Sequence, residues 1–134
     1  MASIFSKIVN RDIPAHIIAE DEDHLAFLDI NPLTIGHALV IPKQEVDYIF
    51  DLSDEDYLKL QGFSKRVAKA IEDSTDCARI GTAVIGLEVP HAHIHLIPIN
   101  EMDDMNFSRP KLSLSQEELA QTASRIKEQF ASLD

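Results

Sequence analysis

Residues 89–98 read Val-Pro-His-Ala-His-Ile-His-Leu-Ile-Pro and set His91, His93 and His95 at alternate positions, half of the chain's 6 histidines. On an extended strand alternate side chains share a face at about 6.5–7 Å spacing, so the three imidazoles would line one side and Ala92, Ile94 and Leu96 the other. The apolar set explains how the strand is held on a core; it does not explain the imidazoles. Three readings follow. The histidines could be exposed sheet residues without a task. Two of them could chelate zinc or iron, although His91 and His95 stand about 13 Å apart on a straight strand, too far to share one ion without bending. Or the row could serve phosphate chemistry. A neutral imidazole is a good nucleophile near pH 7 when its other nitrogen is fixed by a hydrogen bond, and flanking imidazoles can donate to phosphate oxygens and to a leaving group.

The elements that must position this row can be read along the chain. Phe5, Ile8 and Val9 have helical spacing; "IPAHIIAED" and "HLAFLDI" form two short strands about an acidic turn at Asp21–Asp23. "NPLTIG" is a loop, and "HALVIP" is a buried strand ended by Pro42. Ser53 followed by Asp54, Glu55 and Asp56 caps a long helix whose apolar positions, Tyr57 to Ile71, run to about residue 74. "ARIGTAVIG" and "PHAHIHLIPI" follow as strands, and a helix capped at Ser115 closes the chain. Strands joined by turns, with one long helix inserted and one appended, indicate an antiparallel sheet of the α+β class. The histidines fall on its last strand.

The chain's 134 residues suffice for one domain and no more. With 23 acidic against 12 basic residues the net charge is -11, which disfavours nucleic acid and anionic membranes as partners. An anionic substrate would have to be small and met by local donors. No apolar run has signal-peptide or membrane-span length, so a cytoplasmic location is expected. Cys77, the 1 cysteine, is expected to be buried and inert.

The "HAHIHLI" segment, together with "IFSKIVNRDIPAHIIAEDEDHLAFLDINPLTIGHALVIPK" upstream, resembles the histidine-triad family over roughly residues 4–98. The resemblance implies an α+β fold, a half-barrel of about five antiparallel strands with one long central helix. A C-terminal helical tail at about 113–132 completes residues 1–134 as a single domain. It further implies a homodimer that hydrolyses or transfers purine nucleotides without a cofactor. His93 would attack the α-phosphorus to give a nucleotidyl-histidine, which water then releases as the nucleoside monophosphate. His95 would hydrogen-bond phosphate oxygens, His91 would orient His93 and assist around the phosphate, and His37 would support the triad. Asp29 matches the acid that binds ribose hydroxyls, and Phe5, Ile8, Ile13, Phe27 and Ile30 match the base pocket. On residue type alone those five apolar residues would be core. His16 and His24 match nothing and are expected at the surface.

Two departures from the family pattern matter. Many bacterial members bind structural zinc through Cys-x-x-Cys near the start, a histidine after the "IPK" segment and a triad histidine; Ser3, Ser6 and Glu45 stand at the first three positions here. No metal is therefore expected. The loop before the triad keeps Gly86 but has Glu88 where a hydroxyl is usual. An ionised carboxylate there repels phosphate unless it faces a cationic leaving group or a protonated histidine. Phosphoramidates are thus the favoured substrates, with dinucleoside polyphosphates second. A nucleotide-binding protein without catalysis is the reading from a different class.

Overall fold

The computed structural model describes residues 2–133. A short helix α1 (Ile4–Val9) is followed by strands β1 (Ile17–Glu20), β2 (His24–Leu28) and β3 (Ala38–Pro42), then the long helix α2 (Asp54–Ser74). Strands β4 (Arg79–Ala83) and β5 (Ile94–Ile99) lead to the closing helix α3 (Gln116–Ser132). The strands make one antiparallel sheet in the order β1-β2-β3-β5-β4, open at β1 and β4. This is the expected α+β architecture.

Helix boundaries follow local chemistry. Ser3, Ser53 and Ser115 each accept a backbone N–H from the third residue after them, satisfying donors that the first helical turn leaves unpaired. Glu118 returns the bond to the Ser115 N–H and closes a capping box. Asp54, Glu55 and Asp56 add negative charge at the positive end of the α2 dipole.

The sheet separates two apolar clusters, as the two-residue period of strands requires. Ala26, Val40, Ile94 and Leu96 face α2 and α3, where they meet Leu60, Phe63, Val67, Ile71, Leu119 and Ile126. Burial of each large aliphatic there is worth about 1.5–3 kcal/mol. On the opposite face Leu25, Phe27, Leu39 and Ile41 are covered by Phe5 and Ile8 of α1. His95 pairs across the strands with Leu39 and so stands on this second, α1-covered face.

The structure corrects three expectations. The last strand begins at Ile94 rather than at Pro90, so only His95 of the row is within it. The ladder to β3 stops at Val40–Ile94; beyond it the Pro42 carbonyl accepts the His91 ring N–H and the Ala92 N–H goes to the Val46 carbonyl in place of ladder bonds. His24 is buried, its ring stacked on Phe63 at 5.0 Å with Nδ1 2.9 Å from an Asp21 carboxylate oxygen. The other histidine expected at the surface, His16, is half-buried beside Gln116. Cys77 is partly exposed, close to Thr75.

Candidate active site

His93 sits just ahead of β5, and its Nδ1 lies 2.8 Å from the His91 carbonyl oxygen. A carbonyl only accepts, so Nδ1 carries the proton and the neutral ring keeps its lone pair at Nε2. Phe5 packs edge-on against this ring with centroids 5.0 Å apart, which limits its rotation.

His91 is fully buried and both its nitrogens are occupied. Its Nε2–H donates to the Pro42 carbonyl at 2.8 Å, which leaves Nδ1 to accept from the Ser3 hydroxyl, also at 2.8 Å. Ser3 Oγ in turn accepts from the Ser6 N–H; the Ser3 N–H and Ser6 hydroxyl both donate to Glu45, at 2.6 and 2.7 Å. Burial pushes the His91 pKa down, and the Ser3 amide holds that of Glu45 below the usual range. The His91 ring thus fixes its own backbone, whose carbonyl fixes His93. No ring nitrogen of His91 remains for a phosphate.

His37 precedes β3, after a turn in which Gly36 adopts φ +97°; a Cβ there would also meet Pro98 and Thr75 at 3.1 Å. The Leu33 N–H donates to His37 Nδ1 at 3.0 Å, so the neutral ring carries its proton on Nε2. That proton points at His95 Nδ1, 2.9 Å away. His95 must then hold its own proton on Nε2, the nitrogen turned from His37. Burial holds the His37 pKa down at about 3 and that of His95 at about 4. Both rings are neutral at pH 7, and the pair forms a one-way chain of donors, Leu33 to His37 to His95.

Asp29 follows β2. Its Oδ1 accepts the Asn31 N–H at 2.8 Å and its Oδ2 is 3.7 Å from His37 Nε2. Burial raises its pKa, with Lys111 and Glu88 close enough to act on it in opposite directions. Ligand-type atoms of Asp29, His37 and His95 lie within 4.8 Å of one another. The facing nitrogens of the two histidines are, however, hydrogen-bonded to each other, so an ion could enter only by breaking the donor chain.

Of the residues matched to a base pocket, Phe5, Ile8, Ile13 and Phe27 come together in the cluster under α1, with Phe5 and Phe27 rings 5.4 Å apart. Ile30 lies outside that cluster and is 58% exposed, so it is not core. Gly86 takes φ +75° in open space, and Glu88 is exposed. Sequence reasoning missed Phe107. Its ring lies 5.0 Å from His95 and 6.4 Å from His37, an approach that nothing local to residue 107 announces. A groove of about 480 Å³, bordered by Thr34, Ser74, Cys77, Arg109 and Arg125, contains none of the histidines.

Comparison with known proteins identifies the family and the fold. A HIT domain family model matches residues 10–102. An adenosine 5'-monophosphoramidase of Schizosaccharomyces pombe is 39% identical over 121 residues, 89% of this chain and 91% of the relative. A crystal structure of a Hit-like protein involved in cell-cycle regulation from Bartonella henselae superposes with TM-score 0.83 at 28% identity, covering 95% of both chains. A zinc-bound histidine triad family protein from Mycobacterium smegmatis gives TM-score 0.82 at 28% identity over 100% of this chain and 96% of its own. Ser3, Ser6, Glu45 and His91 do not suit such an ion: two of the four groups are neutral hydroxyls, and the set is already joined by hydrogen bonds. The matched family model and the relatives of similar length make this chain a member of the HIT domain family.

Proposed function

We propose that the chain is a hydrolase of purine nucleoside phosphoramidates in which His93 forms a covalent nucleotidyl intermediate. The observation that carries the reading is the opposed orientation of two neighbouring imidazoles: His93 presents a lone pair at Nε2, and His95, its ring centroid 5.1 Å away, presents an N–H. The activity of the S. pombe relative supports it. His93 Nε2 attacks the α-phosphorus and the phosphorus–nitrogen bond breaks. The amine leaves with the bonding pair and takes a proton from water, and His95 donates a hydrogen bond to the phosphoryl group as its charge changes. Positive charge developing on the phosphorylated ring is stabilised by the His91 carbonyl at Nδ1–H. A second water then attacks phosphorus, returns the electron pair to Nε2 and releases the monophosphate.

In this reading His91 and His37 are positioning residues, the first for His93 and the second for His95. Asp29 accepts the ribose hydroxyls, Phe5, Ile8, Ile13 and Phe27 floor the base pocket, Ile30 borders it, and Gly86 and Glu88 flank the phosphate. Residues 1–134 act as one domain, and a second copy pairs at the β4 edge, next to the exposed Val84, Ile85 and Leu87. Among the described residues no helix is long and apolar enough to cross a membrane; a cytoplasmic location is part of the proposal. The deciding experiment is AMP release from adenosine phosphoramidate by metal-stripped protein beside His93→Ala. Turnover in the parent and none in the variant supports the proposal. AMP binding without turnover in the parent would replace it with a binding role.

A further inference from the structure

The segment Asn106–Leu112, between a 3-10 turn at Met102–Met105 and α3, has no part in the chemistry described so far. It is nevertheless firmly held. Arg109 donates to the Leu33 carbonyl at 2.7 Å while contacting both Asp103 and Asp104. The Leu112 N–H donates to the Pro32 carbonyl at 2.8 Å, and Lys111 Nζ donates to the Phe107 carbonyl. Pro32 and Leu33 belong to the loop that carries Asp29 at one end and His37 at the other. The strap is therefore tied to the same backbone that orders the donor chain.

These ties place the Phe107 ring against His95, edge to face at 75°, and within 6.4 Å of His37. The ring is half-buried and belongs to neither apolar cluster, so core packing does not account for it. It also completes a bracket around the reacting pair. Phe5 abuts His93 and Phe107 abuts His95, each at a centroid distance of 5.0 Å. Phe5 continues into the apolar floor assigned to the base, so the Phe107 end is left for whatever is bonded to phosphorus on the other side.

We propose that Phe107 is the wall of a leaving-group subsite, selecting phosphoramidates whose amine bears a flat aromatic or bulky apolar substituent. The inference rests on the phosphoramidase reading and adds the chemical class of the amine. An aromatic substituent stacks on or meets the edge of the Phe107 ring, while the strap shields the His37–His95 hydrogen bond from water. Lys111, exposed but within electrostatic range of Asp29 and His37, adds a positive charge to the strap.

The test compares two substrates that share AMP and differ in the amine, adenosine phosphoramidate and the benzylamide of AMP. Phe107→Ala is expected to lower kcat/KM for the benzylamide about fivefold more than for the parent phosphoramidate, the order of one aromatic contact. Phe107→Leu should recover part of that loss. Equal losses on both substrates, or none, would overturn the proposal. A second arm needs no turnover. The chain has no tryptophan, so Phe107→Trp in a His93→Ala background carries a single reporter. Its emission should shift with the benzylamide and not with AMP; equal responses or no response would also overturn the subsite. This arm stays decisive even if every variant proves inactive, which separates failure of the subsite from failure of the hydrolase reading.

Discussion

His37 Nε2 and His95 Nδ1 lie 2.9 Å apart, and the Leu33 N–H closes on the other nitrogen of His37 at 3.0 Å. The arrangement sets the tautomer of His95 from the backbone of a loop more than 60 residues upstream. His37→Leu removes the donor and leaves the Leu33 N–H, in a fully buried residue, without its acceptor. Stability should fall by about 1–3 kcal/mol in urea melts. The rate constant kcat should drop about 10- to 100-fold with KM little changed, because the lost group acts on the transition state through His95. A rise in KM at constant kcat would contradict this assignment.

Much of this site is legible from residue order, for reasons of range. The caps at Ser53 and Ser115 need only residues three positions on, and the alternation of Leu39 and Ile41 with Ala38 and Val40 shows both faces of β3. The burial of His24 was not legible, since it comes from Phe63 on the distant α2. Nor was the late start of β5, where His91 and Ala92 bond instead to the distant Pro42 and Val46 carbonyls. Phe107 reaches His95 only because Arg109 and Leu112 find carbonyls near residue 32, a long-range pairing without a sequence signature.

Ser3 has two duties: it caps α1 and donates to His91. Ser3→Ala should therefore cost about 1–2 kcal/mol from the cap and the buried hydrogen bond. It should also reduce kcat by loosening the His91 carbonyl that holds His93. Ser3→Thr, which keeps the hydroxyl, should restore both. Thermal melts combined with nitrogen chemical shifts of the His91 and His93 rings would check this. Unchanged ring shifts in Ser3→Ala would remove the link between α1 and His93.

Glu88 is exposed, and its charge acts on Asp29 in the direction that raises the Asp29 pKa. In the proposed site, Glu88→Ser removes a negative charge beside the phosphate. The ratio of phosphoramidate to dinucleoside polyphosphate hydrolysis should fall several-fold, because the anionic polyphosphate leaving group no longer meets a carboxylate. The shift should shrink at high salt, as an exposed charge is screened. Parallel assays of both substrates at low and high ionic strength provide the measurement, and an unchanged ratio would clear Glu88 of any role in selection.

Three histidines are harder to protonate in the folded chain than in the unfolded one: His37 with its pKa at about 3, His95 at about 4, and His91 lowered by burial. The unfolded chain takes up protons first, near the ordinary value of 6.5, so it binds more protons than the native state below that pH. Stability should be fully present above about pH 6.5 and be lost as the pH falls towards 4. The loss eases only where the folded histidines themselves begin to titrate. For His37 and His95 the penalty approaches about 2 kcal/mol each by pH 5. Urea denaturation at pH 7 and pH 5 should show this difference, and replacing both with glutamine should reduce it to the part left by His91, even though the variant is less stable at pH 7. A slope undiminished by the double replacement would assign the acid sensitivity to other groups and show that the buried pair is not held neutral as its geometry requires.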